Sequence, residues 1–167
     1  MRTALFAGTF DPITTGHEVI VRRAAKLFDA VVVAIGENTQ KSALFSQEQR
    51  LDWLRRSFED VPNVKVDHYK GLTTDYCRQH GIGFLLRGLR STTDFLYEEN
   101  IARINRAITP EIESVFLLSD PASCTISSSM LRELLLFGHR IDEFVPKAIR
   151  KDFLRDDLLE RAGENDR

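Results

Sequence analysis

Short apolar runs alternate with segments of helical periodicity along most of this chain. Five runs predict strands: Leu5–Ala7, Ala30–Ile35, Val64–Val66, Phe84–Leu86 and Val115–Leu118. The second run, Ala-Val-Val-Val-Ala-Ile, is uninterrupted and rich in β-branched side chains, which is typical of a strand buried on both faces of a parallel sheet. The pattern therefore favours a parallel sheet in the interior of the molecule.

The segments between these runs carry helix signals. Apolar residues recur at helical spacing within Glu18–Phe28, and Ser46 with Gln49 forms a capping box that predicts a helix to about Phe58. Further helices are predicted over Thr74–His80, closed by Gly81; from Asp94, as its cap, to Ala107; from Ser127 to about Phe137; and from Pro146 onward. Within the helix that starts at Asp94, we expect Phe95 and Tyr97 to be core side chains.

Strand–helix alternation with short connections predicts an α/β fold with a doubly wound, parallel, Rossmann-like sheet and right-handed crossovers. We expect a single domain over residues 1–162 and a polar tail over residues 163–167. In such sheets ligands bind outside the carboxyl ends of the strands. The loops that follow Ala7, Ile35, Leu86 and Leu118 are therefore expected to converge on one site.

Composition narrows the class of protein. The chain has 167 residues and a net charge of -2, so nothing in its overall charge predicts binding to nucleic acid or to an anionic membrane. The N-terminal apolar run is too short for a signal peptide or a membrane span, and Cys77 and Cys124 have no C-x-x-C spacing. We expect a cytoplasmic protein with reduced thiols.

Several common site signatures are missing. No G-x-x-x-x-G-K-[ST] occurs, and no G-x-G-x-x-G follows the first strand, which disfavours a Walker-type ATPase and an NAD or FAD oxidoreductase. The histidines show no ligand spacing, so no protein-held metal and no metal-dependent hydrolase is predicted; they are His17, His68, His80 and His139.

The loop after the first strand carries the strongest signal. It reads Gly8-Thr9-Phe10-Asp11-Pro12-Ile13-Thr14-Thr15-Gly16-His17 and leads into a helix. A helix N-terminus presents free N–H groups and a partial positive charge to phosphate. There the Thr9 hydroxyl and the His17 imidazole can bind phosphate oxygens, which suits transfer at phosphorus. The alternative is that His17 only caps or packs.

Three further loops carry candidate groups. Lys41 lies in a polar loop, as a mobile phosphate contact or a solvated side chain. Arg87-Gly88-Leu89-Arg90 follows a buried strand, where an arginine needs an anion: a phosphate, or one of the carboxylates Asp94, Glu98 and Glu99. Cys124-Thr125-Ile126-Ser127-Ser128-Ser129 precedes a helix and is either an anion-binding nest or a serine-rich cap.

Together these motifs resemble the bacterial phosphopantetheine adenylyltransferases, within the nucleotidyltransferases that share a Thr/His-x-Gly-His motif. The resemblance runs from about residue 3 to about residue 155. It rests on Gly8–His17, Lys41, Arg87–Arg90 with Asp94 and Tyr97-Glu98, and Glu113–Leu117 followed by Ile126–Ser129. Ala7, Phe6 and Ser123 stand where many relatives carry proline, tyrosine and tryptophan, so packing around the adenine is expected to differ.

The resemblance implies transfer of AMP from ATP to 4′-phosphopantetheine, giving dephospho-coenzyme A and pyrophosphate. It implies Mg²⁺ carried with ATP, a homohexamer, and feedback binding of coenzyme A. The implied catalytic residues are His17, Lys41 and Arg90, and the implied phosphopantetheine ligands are Thr9, Lys41, Thr73 and Arg87. The implied ATP ligands are Thr9, Phe10, His17, Gly88, Leu89, Arg90, Glu98, Ser123, Cys124, Thr125, Ile126, Ser127, Ser128 and Ser129.

Two other functions remain open at the level of the sequence. One is a nucleotidyltransferase of the same superfamily that acts on nicotinamide mononucleotide or transfers CMP to a small phosphate ester. The other is a nucleotide-sensing module that binds without turnover. The Arg-Gly-Leu-Arg and Ile-Ser-Ser-Ser segments argue against the first, and the presence of His17 together with Lys41 and Arg90 argues against the second.

Overall fold

The computed structural model describes residues 1–37, 43–120 and 125–154. Its five strands are all parallel and lie in the order β3-β2-β1-β4-β5, which confirms the predicted doubly wound α/β fold. The strands are β1 (Thr3–Gly8), β2 (Ala30–Gly36), β3 (Val64–Tyr69), β4 (Phe84–Leu89) and β5 (Glu113–Leu118). The expected domain end at residue 162 and the tail lie outside the described residues.

Within the described ranges, five α-helices connect and cover the strands. They are α1 (Thr15–Ala24), α2 (Gln47–Phe58), α3 (Thr73–His80), α4 (Thr92–Ile108) and α5 (Ser128–Leu136), followed by 3-10 segments Asp142–Phe144 and Lys147–Leu154. The capping box of α2 is formed by Ser46 and Gln49, and Gly81 closes α3 in the left-handed conformation, both as predicted. None of the helices in the described ranges is long and apolar enough to cross a membrane.

The core lies on both faces of the sheet because alternate side chains of a strand point to opposite sides. Ala4 and Phe6 of β1 pack into the larger cluster, with α1, α2 and α5. Leu5 packs on the other face with Tyr69, Tyr76 and other residues near α3. The central strand is therefore buried on both sides.

The sheet opens where β1 and β4 separate. Their pairing ends at Phe6 and Leu86, whereas β4 stays paired with β5 through Leu89. This longer ladder explains why β4 includes Arg87 and Gly88, which the sequence placed just beyond the strand. The gap between β1 and β4 is a topological switch point of the kind that binds ligands.

Helix α4 departs most from expectation. Ser91 rather than Asp94 is its N-cap: the Ser91 hydroxyl accepts a hydrogen bond from the Asp94 amide. The prediction that Phe95 and Tyr97 are core residues is wrong, since they are 39% and 67% exposed. No residue of α4 is buried.

Candidate active site at the carboxyl edge of the sheet

A cleft of about 740 Å³ lies where the carboxyl ends of β1, β2 and β4 meet the start of α5. It therefore occupies the switch point between β1 and β4. It is lined by the loop after β1, the start of α1, the end of β4 and the start of α5. Its polar and charged lining comprises Thr9, Asp11, Thr14, His17, Glu37, Arg50, Arg87, Arg90, Asp94, Glu98, Ser119, Ser127, Ser128, Ser129 and Arg132.

His17 lies in the first turn of α1 and completes a capping box with Thr14. The Thr14 hydroxyl accepts from the His17 amide at 3.3 Å, and the Thr14 amide donates to His17 Nδ1 at 3.1 Å. An amide N–H can only donate, so Nδ1 must be unprotonated. The ring proton of the neutral imidazole is consequently on Nε2. His17 is thus both a cap and a hydrogen-bond donor available to a ligand.

Aromatic rings surround His17. The rings of Phe10 and Phe6 contact it edge-on, with centroids 5.2 and 6.0 Å away. Burial, followed by the positive charges of Arg90 and Arg87, lowers the pKa of His17 from 6.5 to about 4. At neutral pH the ring is therefore uncharged, in agreement with the Thr14 hydrogen bond. It can stabilise negative charge only by hydrogen bonding.

The loop after β1 brings Phe10 into this position through an uncommon backbone conformation. Phe10 has φ +47°, in the left-handed region that non-glycine residues rarely adopt. A Cβ on Gly8 would lie 3.1 Å from the Phe10 ring. Glycine at position 8 therefore allows the close approach of this ring to the strand, since a larger residue would push the ring away by a few tenths of an ångström.

Arg87 is held by a carboxylate and a carbonyl. Its Nε and Nη2 donate to the two carboxylate oxygens of Glu98 at 2.6 and 2.5 Å, and its Nη1 donates to the carbonyl of Ala7 at 3.2 Å. The Glu98 side chain is only 12% exposed. Such fork-shaped pairing fixes the plane of the guanidinium group and leaves one edge of it open to a ligand.

Arg90 is held more loosely. Its Nε and backbone amide donate to Asp94 at 2.9 and 3.2 Å, and its side chain is 40% exposed. The arginines of the Arg87–Arg90 segment therefore both pair with carboxylates of α4 and both line the cleft. Each arginine thus forms an ion pair with a carboxylate, which the sequence analysis gave as the alternative to binding phosphate. Each nevertheless remains in the lining of the cleft.

The serine-rich segment at α5 divides its hydroxyls among three tasks. Ser127 caps α5 by accepting from the Met130 amide at 3.2 Å. Ser128 donates to the carbonyl of Pro12 at 2.8 Å, and Ser129 accepts from Arg132 at 3.1 Å. The segment is thus a cap that also ties α5 to the loop after β1.

Three buried or half-buried groups that the sequence analysis did not single out support this loop. The Asp11 carboxylate accepts from the Leu44 and Phe45 amides at 2.8 and 3.0 Å. Arg132 donates to the Asp11 carbonyl at 2.8 Å, and Arg50 donates to the Thr9 carbonyl at 2.8 Å. Arg132 had a detectable signal, since it follows Ser128 and Ser129 at helical spacing.

A second, smaller cleft of about 350 Å³ lies beside the first, under α4. Arg87 and Glu98 line both clefts. Most of the lining of the second cleft is aliphatic: Leu5, Ala7, Leu72, Leu85, Leu86, Ile101, Ala102, Ile104 and Ile108. Its few polar groups include Thr73, Thr74 and Asn105. The two clefts meet at the Arg87–Glu98 pair.

Comparison with known proteins shows which family the chain belongs to. The family model for cytidylyltransferase-like proteins matches residues 5–134. A phosphopantetheine adenylyltransferase from Thiobacillus denitrificans is 46% identical over 165 residues, covering 99% of this chain and 100% of that protein. The chain belongs to the phosphopantetheine adenylyltransferase family. A family member from Dictyoglomus turgidum is 44% identical over 161 residues, covering 96% of this chain and 98% of that protein.

Solved structures of similar fold lie further away in sequence. A putative nicotinate-nucleotide adenylyltransferase from Vibrio parahaemolyticus has a TM-score of 0.67 and 17% identity, covering 93% of this chain and 100% of that one. A NadR protein in complex with NAD and AMP-PNP has a TM-score of 0.59 and 17% identity, covering 89% of this chain and 45% of that one. These two likenesses concern the fold alone.

Most of the predicted site residues come together. The first cleft is lined by Thr9, Phe10, His17, Arg87, Gly88, Arg90, Glu98, Ile126, Ser127, Ser128 and Ser129, and Thr73 lines the second. Leu89 is buried in the sheet, and neither Leu89 nor Thr125 lines a cleft. Lys41, Ser123 and Cys124 lie outside the described residues. The individual roles of all these site residues remain predictions for this member of the family.

Proposed function

We propose that this chain transfers AMP from ATP to 4′-phosphopantetheine, giving dephospho-coenzyme A and pyrophosphate. Its full-length likeness to phosphopantetheine adenylyltransferases supports this reaction. The structural observation that carries it is the junction of the two clefts, where Arg87 lines both and His17 lies at the entrance of α1. A reaction between two anionic substrates needs such a junction.

The reaction requires no strong base. A phosphate oxygen of phosphopantetheine is already anionic; it attacks the α-phosphorus of ATP, and the bond to the β-phosphate breaks as pyrophosphate leaves. Negative charge builds on the α-phosphoryl oxygens, where positioned donors and cations lower the barrier. We assign this role to Nε2–H of the neutral His17, with Arg90 and Lys41 as the cationic partners.

The larger cleft fits ATP. We assign nucleotide contacts to the residues of the predicted set that line this cleft, namely Thr9, Phe10, His17, Gly88, Arg90, Glu98 and Ile126–Ser129. The first turn of α5 and its Ser127–Ser129 hydroxyls face this cleft, where a helix N-terminus favours phosphate. Arg132, on the same helix face, adds a guanidinium for the outer phosphates.

The smaller cleft fits the arm of phosphopantetheine. That arm is slender, largely aliphatic and interrupted by amides, which matches a mainly apolar lining with a few hydroxyl and amide groups. Arg87 lies at the mouth of this cleft, where it would meet the substrate phosphate together with Thr9 and Lys41. Thr73 is the predicted contact further along the arm.

Magnesium fits this site as a companion of the nucleotide. Each described carboxylate that lines the larger cleft already has a basic or amide partner: Asp11 with Leu44 and Phe45, Glu37 with Lys70, Asp94 with Arg90, and Glu98 with Arg87. No cluster of three potential metal ligands occurs among the described residues. Mg²⁺ bound to the triphosphate needs few protein ligands and would neutralise charge on the leaving pyrophosphate.

We extend the proposal to assembly and regulation. The apolar side chains on α4, Leu96, Tyr97, Ile104 and Ile108, are each more than half exposed, which supports burial of this helix between copies of the chain in a homohexamer. Sedimentation equilibrium tests this; the mass of a single chain would contradict it.

We also propose a cytoplasmic location for the protein. We further propose feedback inhibition by coenzyme A, which inhibition kinetics against each substrate would test.

Pyrophosphate release by the purified protein tests the function. We expect release with ATP, Mg²⁺ and 4′-phosphopantetheine together, and none when either substrate is omitted. Parallel reactions contain nicotinamide mononucleotide with ATP, and glycerol 3-phosphate with CTP. Release only in one of those parallel reactions would replace the substrate assignment. ATP binding without release in any reaction would point to a sensing module.

A further inference from the structure

Tyr69 lines neither cleft, yet its hydroxyl touches a residue of the second one. It is the last residue of β3 and is only 8% exposed. Its ring stacks on that of Tyr76 with centroids 4.7 Å apart, and its carbonyl accepts from the Glu37 amide at 3.0 Å. Ring and backbone are therefore both fixed, which fixes the position of the hydroxyl.

The Tyr69 hydroxyl lies 2.7 Å from the hydroxyl of Thr73, the first residue of α3. A phenol is a stronger acid than an aliphatic alcohol, so Tyr69 is the better donor of the two. Burial raises the pKa of Tyr69, and it stays protonated at neutral pH. With Thr73 as the acceptor, the Thr73 proton is free to donate to a third group.

The surroundings of the two hydroxyls are compatible with this orientation. A Cβ on residue 36 would lie 2.9 Å from the Tyr69 hydroxyl, so Gly36 provides the space in which that hydroxyl sits. On the other side, Thr73 is part of the lining of the second cleft. The Thr73 hydroxyl can therefore donate its proton to a group bound in that cleft.

We propose that Tyr69 is a positioning residue: its hydroxyl orients the Thr73 hydroxyl to donate to an amide carbonyl oxygen of the phosphopantetheine arm. The inference rests on the proposed function and adds a residue to it. Tyr69 touches no substrate and acts only through Thr73. Its loss should weaken recognition of the arm while leaving the reacting phosphates undisturbed.

Tyr69→Phe tests this directly, and Tyr76→Phe is the matched control. Both tyrosines are buried, their rings stack on each other, and the Tyr76 hydroxyl donates to Asp67 at 2.6 Å, outside both clefts. We expect Tyr69→Phe to raise the KM for phosphopantetheine about fivefold, the effect of one neutral hydrogen bond. Its kcat and its KM for ATP should stay at the wild-type values, as should all three constants of Tyr76→Phe.

A double-mutant cycle separates positioning from general loss of packing. Thr73→Val removes the hydroxyl that Tyr69 is proposed to orient, so adding Tyr69→Phe to it should raise the KM for phosphopantetheine no further. An unchanged KM in Tyr69→Phe, an equal rise in Tyr76→Phe, or additive effects in the double variant would overturn the inference. Failure of the wild-type protein to use phosphopantetheine would instead overturn the proposed function.

Discussion

The two clefts share Ala7, Arg87 and Glu98 but differ in most of their other lining residues. The larger one gathers His17, Arg50, Arg90, Arg132 and the serines of α5, whereas the smaller one is walled by aliphatic side chains. In the proposed function, charge is concentrated in the cleft that holds the phosphates, and shape dominates in the cleft that recognises the neutral arm. Substitutions in the two clefts should therefore leave different kinetic signatures.

The largest effect should come from the charged side. We expect His17→Ala to lower kcat roughly 10²- to 10³-fold, the usual loss on removal of one donor to a developing oxyanion, with smaller changes in both KM values. Steady-state kinetics with each substrate varied in turn measures this. His68→Ala, an exposed histidine on β3, is the control. A change confined to the KM for phosphopantetheine would erase the distinction between the clefts.

A substitution of Arg87 tests the junction between the two clefts, because this residue lines both of them. We expect Arg87→Gln to raise the KM for phosphopantetheine about tenfold, because a charged contact to the substrate phosphate is lost. It should also destabilise the fold by about 1 kcal/mol, since the half-buried Glu98 carboxylate loses its partner. Arg78→Gln is the matched control: Arg78 pairs with Glu111 at 2.7 Å outside both clefts. A rise only in the KM for ATP would move Arg87 to the nucleotide side.

The smallest effect concerns protonation of His17. With a pKa lowered to about 4, the ring should remain neutral, with its proton on Nε2, throughout pH 5–8; ¹H–¹⁵N NMR of the imidazole in the free protein measures both properties. Between pH 6.5 and about 4 the unfolded chain binds a proton here and the folded chain does not, so stability falls as pH falls. A titration midpoint near 6.5 would contradict the burial argument.

Sequence reasoning was most successful where the determining contacts are local. The strands followed from their apolar runs, and the loop with its Thr-x-Gly-His pattern placed His17 at the entrance of α1. The contacts that fix His17 there, a capping box with Thr14, span only four residues. The choice of Glu98 as the partner of Arg87, from three nearby carboxylates, depends on where α4 begins. Since Ser91 rather than Asp94 caps that helix, the sequence alone did not make this choice.

Long-range contacts were the part that sequence reasoning missed. Asp11 was visible only as one residue of the loop after the first strand, while the amides that its carboxylate binds lie 33 and 34 residues away. The exposure of Phe95 and Tyr97 was missed for a similar reason: an apolar helix face indicates burial without indicating what covers it. The second cleft has no motif, because its lining of ordinary leucines and isoleucines resembles any core.

The hydrogen bonds that hold the loop after β1 also determine when this loop can form during synthesis of the chain. A chain emerging from the ribosome can pair β1 with β2, and β2 with β3, from its first 69 residues. The Pro12 and Asp11 carbonyls cannot accept their hydrogen bonds until Ser128 and Arg132 have been synthesised, 116 and 121 residues later. Contacts of such separation form late in folding. The nascent chain can thus form the first three strands early, and it completes the contacts of the loop after β1 only after α5 has been translated.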